Sequence, residues 1–341
     1  MDVQFILLII GLILAFIMAM NLGGNDAANP TSTTVGTGIL SLRRALLLFA
    51  IFATAGAALQ GFMVMTTIGR GIVPAIDVAG AVAIMLAANI WIFTATLRGM
   101  AISTTHSIIG AVVGYGILKY MLSGMNLSVL GTVVLSWITS PLCSLVLAFL
   151  VYKWIKSYVS KYTGKPETID RFFKVLLIGS LCLAAYSFGA NDVANATGVY
   201  ITIASDLGRM PDTTAMLVLA LFGAAGIIAG GLMFGPRVIE TLAFKVTHLD
   251  LNTALSASIS NALVVYIFTT VPYMLWGYGL PVSTSYAVVG SIIGAGLARN
   301  VRSVSRAVSV KLVSYWLLTI PINILLAMGI YYAFMLLNWT A

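Results

Sequence analysis

The sequence predicts an all-α polytopic membrane protein, an inverted-topology repeat of two homologous halves with about 10–12 transmembrane or re-entrant helices. Composition, the placement of the basic residues and an internal duplication predict it. Of 341 residues, 60% are hydrophobic and 8% charged, and the mean hydropathy is +1.04. A soluble domain carries far more surface charge. Met1–Met20, Ala45–Met65, Val78–Leu97, Leu127–Tyr152 and Val313–Leu337 are each long and apolar enough to cross a hydrocarbon core as helices.

Crossings are expected about residues 12, 55, 88, 110, 139, 180, 223, 265, 290 and 325. Loops after odd-numbered crossings hold fifteen of the 18 Lys and Arg residues; the other side holds Arg70, Lys119 and Arg209. This bias puts both termini outside the cell and the Lys153–Lys174 loop in the cytoplasm. It also accounts for the net charge of +8 without nucleic acid. No Lys or Arg precedes Arg43, so Met1–Met20 reads as a retained helix rather than a cleaved leader. Cys143 and Cys182 lie in apolar stretches and read as packing residues.

The duplication is explicit. Gly23-Gly24-Asn25-Asp26-Ala27-Ala28-Asn29 returns as Phe188-Gly189-Ala190-Asn191-Asp192-Val193-Ala194-Asn195. Further along each half, Ser103-Thr104-Thr105-His106-Ser107 returns as Ser283-Thr284-Ser285-Tyr286-Ala287. Thr139-Ser140-Pro141 then returns as Thr319-Ile320-Pro321, at the same offset as the Ser/Thr pair. The halves are placed at 1–160 and 174–341, joined by a cytoplasmic linker at 161–173. An odd number of crossings per half makes the second half enter the membrane from the opposite side.

Asn21–Gly38 holds three Asn, one Asp, one Pro and four Gly. Such a stretch is expected to break or unwind its helix and to survive at membrane depth only inside protein or beside a watery cavity. Asp26 and Asp192 repel each other in a low-dielectric site unless Na⁺ or protons neutralise them. Asn25, Asn29, Asn191 and Asn195 add amide oxygens, hard ligands suited to Na⁺, and His106 is the one His or Cys in the motifs, which disfavours a transition metal. The second motif pair supplies donors. Ser103, Thr104 and Thr105, and Ser283, Thr284 and Ser285, follow breaks at Arg98-Gly99 and Gly279-Leu280-Pro281 and precede apolar runs, where N-caps belong. Two helix N-termini with hydroxyls could hold a tetrahedral oxyanion without Arg or Lys; interhelical hydrogen bonding is the plainer reading of either motif alone. His106 stands opposite Tyr286 and breaks the symmetry, as a tuning residue or a packed interior one. Thr31, Ser32, Thr33 and Thr34 are unranked further ligands. Gly110, Gly114, Gly116, Gly290, Gly294 and Gly296 read as close helix packing. Glu240, Lys245, His248 and Asp250 read as a solvated cytoplasmic face.

Gly189–Ala196 resembles the GANDVANA signature of the inorganic phosphate transporter (PiT) family, with Gly24–Asn29 as a degenerate first copy. Pro281–Ser285 and Ile102–Ser107 look like that family's PVSTTHS element. The resemblance runs from about Gly23 to about Gly296. Departures are Pro30 for a small residue, Phe188 for a frequent His, and Val199-Tyr200 for Gly-Pro. It implies a Na⁺- or H⁺-coupled phosphate symporter, often a homodimer, in the plasma membrane and surrounded by lipid. Carried over by position, Ser103, Thr104, Thr105, Ser283, Thr284, Ser285, Asn25 and Asn191 would bind phosphate, and Asp26, Asn29, Asp192 and Asn195 would bind Na⁺. No resident cofactor is implied. A proton-coupled phosphate or sulfate permease of the same fold is the alternative, and an anion channel a distant one. No His-Glu-x-x-His, Gly-x-Ser-x-Gly, Walker A or dinucleotide fingerprint points to an enzyme.

Overall fold

The computed structural model describes residues 3–98, 102–201, 213–244, 250–300 and 306–340. Gly99, Arg209, Lys245, His248 and Arg302, on which expectations from the sequence rest, lie outside them. Among the described residues the chain is helical and contains no strand. The helices are α1 (Val3–Asp26), α2 (Ala28–Gly36), α3 (Leu42–Gln60), α4 (Phe62–Thr66), α5 (Val78–Leu97), α6 (Thr104–Tyr120), α7 (Leu127–Lys161), α8 (Pro166–Thr197), α9 (Thr213–Met233), α10 (Gly235–Phe244), α11 (Leu251–Trp276), α12 (Thr284–Arg299) and α13 (Arg306–Leu336). A π-helical turn, Thr67–Gly71, continues α4.

Each of the ten expected crossing centres falls inside one of the longer helices, α1, α3, α5 to α9 and α11 to α13. Among the described residues, eight segments are long and apolar enough to span a membrane. α6 and α12, of 17 and 16 residues, are shorter and buried along most of their length. Residues 166–173 of the expected linker are the first turns of α8, which bury Ile169 and Phe173.

The packings come in matched pairs. α1 lies on α9 as α8 lies on α3, α1 on α5 as α8 on α11, and α6 on α13 as α12 on α7. Glycine sets the closest of these approaches. A Cβ at Gly23 would overlap the Ile227 carbonyl and one at Gly230 that of Met20; across the other pair, Gly56 meets the Tyr186 carbonyl and Gly189 that of Ala53. Gly110 and Gly114 lie on the carbonyls of Ile320 and Ile324, and Gly290 and Gly294 on those of Pro141 and Leu145. Where lipid supplies no hydrophobic drive between helices, such backbone contact is what holds them together.

Asn21–Gly38 corrects one expectation. The Asn-Asp element does not unwind: α1 runs through Asn21–Asp26, the interruption is confined to Ala27, and α2 continues the chain as helix. In the second half α8 passes unbroken through Ala190–Thr197. The Asn side chains find partners on other helices instead of competing for their own backbone, so the ladder that dry surroundings demand is kept.

Candidate functional site

The two Asn-Asp elements and the two Ser/Thr elements meet in the interior. Asn25, Asp26, Asn29, Asn191, Asp192, Asn195, Ser103, Thr104, Thr105, Ser283, Thr284 and Ser285 are all buried, none more than 3% exposed. Ser103 and Ser283 cap their helices: Ser103 Oγ accepts from the His106 backbone N–H (3.2 Å) and Ser283 Oγ from that of Tyr286 (3.2 Å). The expected N-termini are therefore present at α6 and α12, with Thr104-Thr105 and Thr284-Ser285 in their first turns.

Contacts cross between the halves. Asp26 Oδ1 accepts from Ser285 Oγ (2.7 Å), Asn25 Nδ2 (2.8 Å) and Asn29 Nδ2 (3.2 Å), and its Oδ2 accepts from Thr104 Oγ1 (2.7 Å). Asn29 Nδ2 also reaches Thr284 Oγ1 (3.1 Å) and Ser285 Oγ (3.2 Å). Asp192 Oδ1 accepts from Asn195 Nδ2 (2.8 Å) and, at 3.4 Å, from Thr105 Oγ1, which also donates to the Val282 carbonyl (3.0 Å). Asn195 Nδ2 reaches Thr105 Oγ1 as well (3.1 Å).

Four buried acceptors in this cluster have no donor: Asp192 Oδ2 and the side-chain oxygens of Asn29, Asn191 and Asn195. A buried acceptor without a donor ordinarily costs about 1–3 kcal/mol, so a cluster of them could take a cation. The four atoms are all oxygen, which would suit a hard ion. Among the described residues no group of three or more His, Cys, Asp or Glu could hold a metal.

His106 is buried, shares its Nδ1 with Ser103 Oγ, and stacks between Trp137 (3.7 Å between centroids) and Tyr286 (4.4 Å). Tyr286 in turn stacks on Trp316 at 3.8 Å. His106 is thus a hydrogen-bonded, packed side chain in a run of four rings.

Of the α2 hydroxyls, Thr31 and Thr34 bond to the Ala27 and Thr31 carbonyls (2.6 and 2.9 Å), whereas Ser32 and Thr33 are buried without a partner. Sequence reasoning missed Thr269, whose Oγ1 accepts from Asn191 Nδ2 (2.7 Å), and the Asn21–Asn89 bond (2.7 Å). Thr269 and Asn89 lie in apolar helices with no motif around them. Asp250, expected to be merely solvated, caps α11 through Thr253 N (2.8 Å) and pairs with Arg299 Nε (3.4 Å).

A helical membrane body with a buried, oxygen-lined centre that holds two carboxyl groups and is built from duplicated motifs defines a polytopic transporter. Residues 22–327 match the profile of the phosphate transporter family, and the chain belongs to that family. It is 32% identical to a candidate phosphate permease of Thermococcus kodakarensis over 94% of this chain and 96% of that one. It is 28% identical to the chloroplastic inorganic phosphate transporter 2-1 of Arabidopsis thaliana, over 93% of this chain and 70% of the relative. A solved structure, described as the sodium-dependent phosphate transporter, superposes with a TM-score of 0.83 at 28% identity, covering 97% of this chain and 99% of that chain. The family's members are transporters or permeases, not enzymes.

Proposed function

We propose that this chain imports inorganic phosphate together with Na⁺ across the plasma membrane by alternating access. The observation that carries the reading is the linkage of acceptors to donors inside one buried cluster. Asp26 accepts the hydrogen bonds of Thr104 Oγ1 and Ser285 Oγ, hydroxyls that an incoming oxyanion would need. A cation at the carboxylates competes for the same lone pairs and turns those hydroxyls toward phosphate. Cation binding also removes the negative potential that repels an anion. The cation is therefore expected to bind first, at Asp26, Asn29, Asp192 and Asn195. Phosphate follows, between the N-termini of α6 and α12, where Asn25 and Asn191 join the hydroxyls.

In this reading the halves, 1–160 and 174–341, are inverted in the membrane, both termini are extracellular, and one bundle moves against the other to open each side in turn. The pairing of α1–α9 with α8–α3 supports a twofold relation between the halves. The sodium dependence named for the solved relative, and the all-oxygen donor set, support Na⁺ as the coupling ion.

Radiolabelled phosphate uptake into proteoliposomes tests this, with an inward Na⁺ gradient set against an equal K⁺ gradient. Concentrative uptake with Na⁺ alone is expected. Uptake driven by a proton gradient instead would make the carboxylates proton carriers; no phosphate uptake, with sulfate accumulated, would overturn the substrate.

A further inference from the structure

Helix α7 carries a surface that transport leaves unused. Leu135, Ile138, Leu142, Val146 and Leu150, each more than half exposed, follow one another at steps of three and four residues and so form one outward stripe. At about 1.5 Å per residue the stripe is about 22 Å long. Continued at the same step it reaches Trp154 and Tyr158, 66% and 46% exposed, and there its chemistry changes. The rings of Trp154 and Tyr158 stack at 5.9 Å, Tyr162 follows at 6.4 Å from Tyr158, and Ser157, Lys161 and Thr163 stand among them. α7 has 35 residues, about 52 Å of helix against a hydrocarbon core of about 30 Å. About 20 Å of it must lie outside the core, and the change to aromatic, hydroxyl and basic side chains from Trp154 onward puts that excess at its C-terminal turns.

Two cavities follow this change. An apolar groove of about 510 Å³ is walled by Leu142, Val146 and Leu150 of α7 and Val264, Ile267 and Phe268 of α11. One turn beyond Leu150, a second cavity of about 470 Å³ is lined by Trp154, Ser157, Tyr158, Lys161, Tyr162 and Thr163. Residues 153–174 hold six basic residues and two acidic ones. Orientation in the membrane explains a basic loop on this side; it does not explain why Lys161 and the hydroxyls line a cavity where an apolar groove ends.

We propose that α7 and α11 bind one anionic phospholipid, its acyl chain in the apolar groove and its phosphate against Lys161 and the hydroxyls of Ser157, Tyr158 and Tyr162. This site is independent of the transport reading. It is tested with the full chain in phosphatidylcholine bilayers containing a fixed fraction of lipid brominated on its acyl chains, carried on either phosphatidylglycerol or phosphatidylcholine, with tryptophan fluorescence as readout. Brominated phosphatidylglycerol is expected to quench more than its phosphatidylcholine counterpart. Trp154→Phe should remove the excess, and Lys161→Gln should weaken the preference about fivefold, the contribution of one basic residue at an anionic surface. Both variants should keep wild-type phosphate uptake, which shows that they fold. Equal quenching by the two headgroups, or an excess unchanged in both variants, would overturn the proposal. So would displacement by free inorganic phosphate, which would identify a soluble ligand, or loss of quenching on dimerisation, which would put a second copy in the groove.

Discussion

Asn25-Asp26-Ala27-Ala28-Asn29 and Asn191-Asp192-Val193-Ala194-Asn195 occupy matching positions in matching helix pairs, yet their carboxylates are held differently. Asp26 accepts four hydrogen bonds, from Asn25, Asn29, Thr104 and Ser285. Asp192 accepts two, one of them long, and its Oδ2 has no donor. Part of the difference traces to the first Asn of each motif, and part to Thr104, which donates to Asp26 Oδ2. Asn25 Nδ2 bonds Asp26 and the Ile102 carbonyl, leaving the Thr96 hydroxyl of α5 without a partner. Asn191 Nδ2 instead bonds the Leu280 carbonyl and Thr269 of α11, the helix that matches α5, and gives Asp192 nothing. A duplicated scaffold thus holds its two carboxyl groups unequally, Asp26 with both oxygens bonded and Asp192 with one to spare. The lesson is that repeat symmetry constrains where backbone goes more tightly than where side-chain protons go.

The largest effect that could sharpen this contrast is on coupling. Asp192→Asn is expected to lower Na⁺-driven phosphate uptake by about 10²–10⁴-fold, the 3–5 kcal/mol scale of removing one partner of a buried charge pair. Its thermal stability in Na⁺-free detergent should stay within about 0.5 kcal/mol of wild type, because no donor faces Oδ2. Asp26→Asn should also stop uptake, but it turns an amide toward existing donors and should cost about 1–3 kcal/mol of stability. Equal melting temperatures for the two variants would break the comparison.

The scaffold should show no such inequality. Gly56→Ala and Gly230→Ala each drive a methyl into a facing backbone carbonyl, and overpacking should cost each about 1–3 kcal/mol. Gly131→Ala, in α7 with open space around its Cβ, should instead gain up to about 1 kcal/mol. Unequal losses at Gly56 and Gly230, measured as melting shifts, would show that the symmetry stops short of packing.

Smaller effects separate the hydroxyls. Thr104→Val removes a donor to a buried carboxylate and should cost about 1.5–3 kcal/mol. Thr284→Val removes an acceptor from Asn29, which keeps Asp26 and Ser285 as partners, and a hydroxyl that faces Asp192, and should cost less than Thr104→Val, about 1–1.5 kcal/mol. Smallest are the ion pairs that tie the starts of α5 and α11 to the ends of α6 and α12, Asp77–Lys119 (3.1 Å) and Asp250–Arg299 (3.4 Å). Both are partly exposed, so Lys119→Gln and Arg299→Gln should each shift stability by about 0–1 kcal/mol, an effect that should vanish in high salt. A salt-insensitive loss at either would reveal a buried role.

What the sequence by itself determined is what local periodicity and recurrence encode: the membrane body, ten helix positions, the caps at Ser103 and Ser283, and the duplicated residues that gather at the centre. Hydropathy over a window and a Ser before an apolar run act within a few residues, so they can be read along the chain. Even there a local rule misled, since Asn21–Gly38 looked like a break and is helix through Gly36 but for Ala27. Only the tertiary structure decided that Ser285 serves Asp26 and Thr105 serves Asp192, that Thr269 and Asn89 join the network, and that Asp250 meets Arg299. Those partners lie far apart along the chain. A hydrogen bond depends on a separation of about 3 Å and on direction, and only the packing of whole helices sets both.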